Sequence, residues 1–553
     1  SGVVEGAQNL VEFDLLIVKR SNDVFHRAKL RRMSSIKSIA DLARVHGKER
    51  PDKPAITFEG RTVTFGDLDA RSNQVAQALL AEGVGAADRV AILDKNSLEY
   101  FELLFGGGKV NAANVAVNWR LAPPEVAQIL NDSQAKVLVV GQPFVDVLDA
   151  IAGDLPAVKK IVVVDGHEGY QSYGDWVDAQ PANDTGIESG PDDVGFQLYT
   201  SGTTGLPKGV MLTNTNLFSL LPIAAPDWGF DENSVNLVAM PLFHIGGSGY
   251  ATVGIFMGCH TILMREVDPM AMLNMIPEKK ITNMFAVPAV LQFMLMMPGV
   301  DQMDFSSLRV IVYGASPISV EVLSGSIKTF GCDFIQVYGM TETTGAIVAL
   351  MPGDHDPTGP NAHRLRAAGR PMQGVELRIV DPDTGTDATI GDVGEIWVRT
   401  GQNMKGYWNK PEETAKTIDA DGWLKTGDAG YLDDDGYLFI HDRVKDMIIS
   451  GGENIYPAEV ENCLMSHPGV ADVASFGIPS EKWGETVHAV VVKAEGQDPT
   501  PEEIIAFARE HIAPFKCPTS VSYADALPRN PSGKILRREL RSPFWEGRDR
   551  NVG

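Results

Sequence analysis

Cysteine is scarce in this sequence. The four present, Cys259, Cys332, Cys463 and Cys517, lie far apart and form no C-x-x-C pair. This excludes a disulfide scaffold, argues against a zinc site and fits reduced thiols in a cytoplasmic protein. Positive charge is also short: 48 Lys and Arg stand against 72 Asp and Glu, a net charge of −24. Phosphate backbones are bound by clustered Lys and Arg, so no nucleic-acid partner is expected. Any polyanionic ligand must be held by local loops rather than by a global field. No apolar run reaches the ~18–20 residues of a membrane helix, so no integral membrane segment is expected, and peripheral membrane contact stays open. Val11–Val18 is apolar but interrupted by Glu12 and Asp14, which makes a poor signal peptide. Internal repeats and low-complexity tracts are missing, and so is the kinase-type phosphate loop G-x-x-x-x-G-K-[ST].

What is present is length and alternation. A chain of 553 residues needs two or more cores. Ile36–His46 has helical spacing, and Ala55–Phe58 and Thr62–Phe65 flank Glu59-Gly60-Arg61, a hairpin signal. Thr64 with Asp67 marks a helix start, and Gly83 its end. Strands at Arg89–Leu93, Ala113–Val117, Lys136–Val140 and Lys160–Val164 alternate with helical stretches near 97–105, 122–131 and 143–151. Residues 165–191 are polar and are expected to form loop. Alternation resumes with strands at Val235–Met240, His260–Met264, Asn283–Val287, Arg309–Tyr313 and Phe334–Val337. Two parallel-type α/β sheets covered by helices are therefore expected. From 367 to 442 helical patterns stop, and short strands at Val375–Val380, Gly394–Arg399 and Gly436–Ile440 predict a small β-barrel or meander. Beyond Lys445, helices at 457–465 and 501–511 with strands at 472–476 and 487–493 predict a small α+β domain.

The densest chemistry lies in Tyr199-Thr-Ser-Gly-Thr-Thr-Gly-Leu-Pro-Lys-Gly209, after an apolar strand at Val194–Tyr199. Four hydroxyls (Thr200, Ser201, Thr203, Thr204), three glycines (Gly202, Gly205, Gly209) and Lys208 share ten residues. Glycines let backbone N–H groups converge on an anion, and the hydroxyls add donors. A polyphosphate site is one reading; an ordinary Ser/Thr/Gly turn is the other. Tyr338-Gly-Met-Thr-Glu-Thr-Thr-Gly345 follows a strand. Strand ends in open sheets are where ligands usually bind. Glu342 suits Mg²⁺, a hard ion taking oxygen ligands, Thr341 can donate to a phosphate, and Tyr338 could stack on a purine. A helix start capped by Thr341 would look the same. Tyr313-Gly-Ala-Ser-Pro317 likewise ends a strand and reads equally as a tight turn. In Trp423-Leu-Lys-Thr-Gly-Asp-Ala-Gly430, Asp428 is either a turn residue or a carboxylate accepting two hydroxyls.

These stretches, with His441–Pro457 and Pro528-Arg-Asn-Pro-Ser-Gly-Lys534, run in order through the chain. Together they resemble the signature motifs of adenylate-forming (ANL) enzymes, the superfamily of acyl-CoA synthetases, luciferases and peptide-synthetase adenylation domains. The resemblance covers nearly everything after Met33. It implies an N-terminal extension over 1–33, a large domain over 34–443, and a small mobile domain over 444–553 hinged near Lys445. It implies an acyl-CoA synthetase using ATP, Mg²⁺ and coenzyme A, with Thr200, Ser201, Gly202, Thr203, Thr204, Gly205 and Lys208 on the triphosphate. Gly314, Ala315, Ser316, Tyr338 and Gly339 would line the adenine, Asp428 and Arg443 would reach the ribose, and Glu342 would carry the metal. Lys534, with Thr341, Glu342 and His244, would serve the first half-reaction, in which a carboxylate attacks the α-phosphorus to give an acyl-adenylate and pyrophosphate. Lys445, Ser450, Gly451, Gly452 and Glu453 would line the coenzyme A path for the second half-reaction. Asn214-Thr215 departs from the His-Arg of many relatives, which puts one packing contact of the phosphate loop in doubt.

The acid pocket implied by the resemblance comprises His244, Gly246, Gly247, Val287, Gly314 and Gly339. Amino-acid-activating relatives place an Asp where this chain has His244, so no carboxylate awaits an ammonium. No carrier-protein attachment motif follows Lys534, which favours free coenzyme A. The small residues Gly246, Gly247, Gly249 and Ala286 read as a roomy apolar cavity or as packing spacers. A medium- or long-chain fatty acid is the expected substrate, with an aryl or alicyclic acid open. A luciferase-like oxidative adenylator shares every motif, and a non-catalytic sensor would not need Lys534, Glu342 and Lys445 together. Oligomeric state stays open, a homodimer included.

Overall fold

The computed structural model describes residues 35–201, 207–316, 318–381, 384–443, 446–450, 453–455, 457–480, 483–512, 514–529 and 535–546. Two large mixed sheets dominate. Among the described residues, one has nine strands in the spatial order Arg370–Pro371, Gly345–Leu350, Asp333–Met340, Val310–Gly314, Asn283–Ala286, Val235–Val238, His260–Leu263, Pro54–Phe58, Arg61–Thr64. The other has eight: Gly406–Tyr407, Pro207–Thr213, Val194–Ser201, Ala113–Ala116, Arg89–Leu93, Val137–Val140, Lys160–Val163, Gln171–Ser172. Both are parallel in the middle, with antiparallel strands at one or both edges. Arg89–Leu93 and Val137–Val140 are buried along their whole length, as strands covered on both faces must be.

The covering helices are set by local signals. Phe65–Ala81 opens on a reciprocal cap: the Asp67 amide donates to Thr64 Oγ1 at 3.1 Å, and the Thr64 amide donates back to Asp67 Oδ2 at 2.9 Å. Leu98–Gly108 packs on this helix through glycine; a Cβ at Gly106 would lie 2.5 Å from Val75 Cγ1. One core runs between the two large sheets, from Val90 and Phe196 to Leu237 and Ile311. Asn96 ties their strand ends. Its Nδ2 donates to Met240 O at 3.1 Å and Met264 O at 3.0 Å, and its Oδ1 accepts from the Leu242 amide at 2.9 Å. This buried amide fixes the segment that leads into His244. Asn214, the departure noted in the sequence, is buried and accepts from the Ile39 amide at 3.1 Å, so it supplies a packing contact of its own.

A four-stranded antiparallel sheet follows, Glu376–Val380, Gly394–Arg399, Leu424–Leu432, Leu438–Arg443, with its own core against Ile347 and Val348. Two stretches read as helix-free or as loop differ from expectation. Pro411–Thr417 is a short helix begun by its proline, and residues 171–178 form an edge strand and a helix capped by Ser172, with Tyr173 and Trp176 buried. The expected strand Phe334–Val337 runs on to Met340, so Tyr338 and Gly339 lie inside it. Thr341–Thr343 is a single 3-10 turn with Met340 rather than Thr341 at its N-cap; the Met340 amide donates to Thr343 Oγ1 at 3.0 Å and the chain reverses at Thr344, φ 58°.

The smaller C-terminal part is α+β, as expected. Strands Ile448–Ser450, Glu453–Ile455, Val470–Ser480, Gly484–Lys493 and Ser520–Tyr523 and helices Pro457–Met465 and Pro501–His511 enclose a separate core around Val460, Val473, Val487 and Ile504. His488 is buried here, its Nδ1 2.7 Å from Ser520 Oγ and its Nε2 2.9 Å from Ser522 Oγ. Burial pushes its pKa down to about 4. The native state therefore holds the neutral ring while the unfolded chain takes up a proton below about 6.5, so stability is lost as pH falls from about 6.5 to about 4. Denaturant unfolding should show His488→Gln losing less stability than the parent, by about 2 kcal/mol, on going from about pH 7.5 to about pH 5. Parallel pH profiles for the two proteins would remove His488 as the sensor.

Candidate active site

Two paired strands flank the glycine-rich stretch. Val194–Ser201 pairs with Pro207–Thr213, with Thr200 opposite Lys208 and Tyr199 opposite Gly209. The strands extend further than the sequence implies, so Thr200, Ser201, Lys208 and Gly209 are strand residues rather than loop residues. Gly202, Thr203, Thr204 and Gly205 lie outside the described residues. Side chains clamp the hairpin from behind. A Cβ at Gly209 would meet Gln197 Nε2 at 2.9 Å and the Tyr199 ring at 3.0 Å. Tyr199 donates to Asp132 Oδ2 at 2.7 Å, the Trp408 amide donates to Gly209 O at 2.8 Å, and the Trp408 ring lies 3.3 Å from the Arg89 guanidinium.

Opposite residues of an antiparallel pair share a face, so Thr200 and Lys208 point the same way. That face meets Glu342, whose side chain is buried. Glu342 Oε1 lies 3.5 Å from Thr200 Oγ1 and accepts from the Tyr407 hydroxyl at 3.0 Å. Burial and the neighbouring carboxylate push the Tyr407 pKa up, so this hydroxyl stays a donor. Lys208 Nζ lies 4.8 Å from the Tyr407 ring centre and 2.7 Å from Glu413 Oε2. Tyr407 reaches the site because Gly406–Tyr407 adds to the hairpin edge, Tyr407 opposite Val210. Sequence reasoning missed Tyr407 and Glu413; the strand is two residues long, and Asn409-Lys410-Pro411 reads only as a turn.

Among the described residues no three His, Cys, Asp or Glu side chains cluster to hold a metal. A single buried carboxylate beside hydroxyls does fit Mg²⁺, which keeps waters and takes phosphate oxygens rather than a protein cage.

A second carboxylate faces the same sheet end. Tyr338 donates to Asp428 Oδ2 at 2.7 Å, and Asp428 stands opposite Arg443 in the four-stranded sheet. Tyr338, Asp428 and the Arg443 backbone are thus together. Gly314 ends its strand opposite Val337, followed by Ala315 in the left-handed region at φ 67° and by half-buried Ser316. Ala315 pays that strain where the ligand end of the sheet is expected. Behind it, buried Tyr313 bonds His355 Nε2 at 3.0 Å.

The glycines expected to line the acid pocket are not equivalent. A Cβ at Gly339 would fall 1.7 Å from Gly345 O, one at Gly314 2.2 Å from Val337 O, and one at Gly247 2.1 Å from Pro241 O. These three are packing spacers. A Cβ at Gly246 would stand 3.4 Å from the Phe285 ring, ordinary contact distance, so that position could carry a side chain. His244 precedes helix Ile245–Met257, its ring 4.5 Å from that of Phe243, and Val287 precedes helix Pro288–Leu295.

Lys445, Gly451, Gly452 and Lys534 lie outside the described residues. Ser450 pairs with Glu453 across the two glycines, and Arg529 pairs with Ile535 across residues 530–534.

The structure thus brings together a hairpin bearing Thr200 and Lys208, a buried carboxylate with hydroxyl partners and a tyrosine-held aspartate. The AMP-binding enzyme family matches residues 43–408, and the AMP-binding enzyme C-terminal domain matches residues 459–534. The chain belongs to this family of AMP-forming ligases. It is 42% identical to the fatty acid–[acyl-carrier-protein] ligase ScoC of Streptomyces coeruleorubidus over 94% of this chain and 98% of that one. It is 36% identical to the long-chain-fatty-acid–CoA ligase FadD13 of Mycobacterium tuberculosis (87% and 93% covered) and 37% identical to a feruloyl-CoA synthase of Amycolatopsis sp (89% and 96%). Among solved structures, ATP-bound MatB from Rhodopseudomonas palustris superposes with a TM-score of 0.83 at 30% identity, over 92% of this chain and 99% of that chain.

Proposed function

We propose that this enzyme joins a fatty acid to the thiol of coenzyme A through an acyl-adenylate, releasing AMP and pyrophosphate. The observation that carries the reading is the convergence of Thr200, Lys208, Tyr407 and Glu342 on one face, with Tyr338 and Asp428 at the same sheet end. Two anions, a carboxylate and a triphosphate, must be aligned and their charge offset. Lys208, with Thr203 and Thr204, holds the β- and γ-phosphates, and Thr341 donates to phosphate. Asp428 and Arg443 hold the ribose, and Gly314, Ala315, Ser316, Tyr338 and Gly339 line the base. Glu342 is the protein ligand of Mg²⁺, which when bound offsets phosphate charge. Lys534 stabilises charge as the acyl-adenylate forms. The small domain, 444–553, then turns about Lys445 and brings Ser450–Glu453 to the site, where the side-chain-free pair Gly451-Gly452 lets a pantetheine arm pass.

A fatty acid is supported by the apolar surroundings of Gly246, by Val287, and by His244 standing where an ammonium-binding Asp would be needed. ScoC raises a second acceptor, a carrier protein, which offers the same pantetheine thiol; the feruloyl-CoA relative raises an aryl acid. Pyrophosphate release with MgATP across acetate, octanoate, palmitate, benzoate, ferulate, a sterol-derived acid and several amino acids decides the acid. Running each with coenzyme A and with an acyl carrier protein decides the acceptor. A fatty acid is expected to win with coenzyme A; a ring acid as the sole substrate, or turnover only with the carrier protein, overturns that part of the proposal.

A further inference from the structure

We propose that Glu413 sets the affinity of this site for polyphosphate by competing with it for Lys208. The inference rests on the reading of Lys208 as a phosphate-binding residue and adds a residue to which the sequence motifs assign nothing. Lys208 is the second residue of the return strand, opposite Thr200, with a side chain only 11% exposed. Its ammonium lies 2.7 Å from Glu413 Oε2, above the Tyr407 ring. The other oxygen of Glu413 accepts from Lys416 Nζ at 3.0 Å. The bond to Lys208, then that to Lys416, holds the carboxyl down at about 2, so Glu413 is ionised at every working pH. Helix Pro411–Thr417 carries Glu413 to this place, and Gly406–Tyr407 fixes the helix to the hairpin edge.

Two effects of such a pair oppose each other. Pinning Lys208 in advance saves rotamer freedom and would favour an incoming phosphate. A full negative charge touching the same ammonium disfavours it, because it cancels the lysine's charge and repels the newcomer. The strand backbone and the Tyr407 ring already restrict Lys208, so little further pinning is left for Glu413 to add. The charge effect wins, and the ion pair acts as a competitor. Lys208 then exchanges partners twice in a turnover: it leaves or shares Glu413 as the triphosphate enters, and Glu413 reclaims it as pyrophosphate departs. The consequence is weaker ground-state binding of ATP and easier release of pyrophosphate.

Calorimetric titration of inorganic pyrophosphate, MgATP and AMP into the full chain tests this. Glu413→Gln should tighten pyrophosphate and MgATP by roughly three- to tenfold, with AMP, which has no β- or γ-phosphate, within about twofold of the parent. Glu413→Ala should act in the same direction, which guards against a peculiarity of the amide. In a Lys208→Ala background the Glu413→Gln change should tighten pyrophosphate by less than about twofold, because only the carboxylate's direct repulsion is left to remove. Unchanged or weaker pyrophosphate binding in both Glu413 variants overturns the proposal, as does an equal shift for AMP. If Lys208→Ala alone leaves pyrophosphate and MgATP binding unchanged, the phosphate role of Lys208 fails and this inference falls with it, a result distinguishable from failure of Glu413 alone.

Discussion

Glu342→Ala lowers acid-dependent pyrophosphate release by about 100- to 1,000-fold, the expected cost of losing a charged group aimed at a phosphoryl-transfer site. Glu342 is buried at a chain reversal and held there by its neighbours: its carbonyl accepts from the Met404 amide at 2.8 Å, and Thr344 Oγ1 donates to Gln402 O at 2.6 Å. The carboxylate cannot be replaced from the surface. Alanine also strips the Tyr407 hydroxyl of its acceptor, a buried loss of about 1 to 3 kcal/mol. Glu342→Gln separates the two consequences, because it keeps an acceptor oxygen and removes the charge. It should melt close to the parent and yet be nearly as slow as the alanine variant, with a raised Mg²⁺ requirement. A glutamine variant with near-parental rate and unchanged metal dependence would mean that the metal sits elsewhere.

Lys534→Ala separates the two half-reactions. Lys534 lies outside the described residues, next in sequence to Ile535, which pairs with Arg529. When the carboxylate meets the α-phosphorus, negative charge accumulates between two anions, and a cation placed there acts where charge develops. Once the acyl-adenylate exists, the second step is attack of a thiol on a mixed anhydride, and a cation at the α-phosphate is no longer needed. Acid-dependent pyrophosphate release should fall about 100-fold or more, while thioester formation from supplied acyl-adenylate stays within a few fold of the parent. Equal loss of both rates would remove the assignment of Lys534 to the first step.

The large features of the fold are legible because they are local or periodic. Val137–Val140 is an unbroken apolar run, as a strand buried on both faces must be, and Thr64 with Asp67 announces a helix by its own chemistry. The ends of the strands are less legible. Tyr338–Met340 continues a strand through polar and glycine residues because pairing with Gly345–Leu350 satisfies the backbone there. What escapes the sequence is contact across distance: Glu413 and Lys208 are 205 positions apart, and nothing local marks either as the other's partner. The glycines make the same point. Gly246 and Gly247 are adjacent and alike in sequence, yet one abuts the Pro241 carbonyl and the other faces the Phe285 ring. Whether a small residue makes room or fills a joint is decided by its neighbours in space.

Gly339, inside its strand, is a joint of main chain against main chain, with no space for even a methyl group beside the Gly345 carbonyl. Substitution therefore has no handle on it. Gly246, by contrast, has room for a side chain at ordinary contact distance from the Phe285 ring. On the proposed acid pocket, a change in the acid accepted is open at Gly246 and closed at Gly339. Redesign for a new acid should leave Gly314 and Gly339 alone and begin at Gly246.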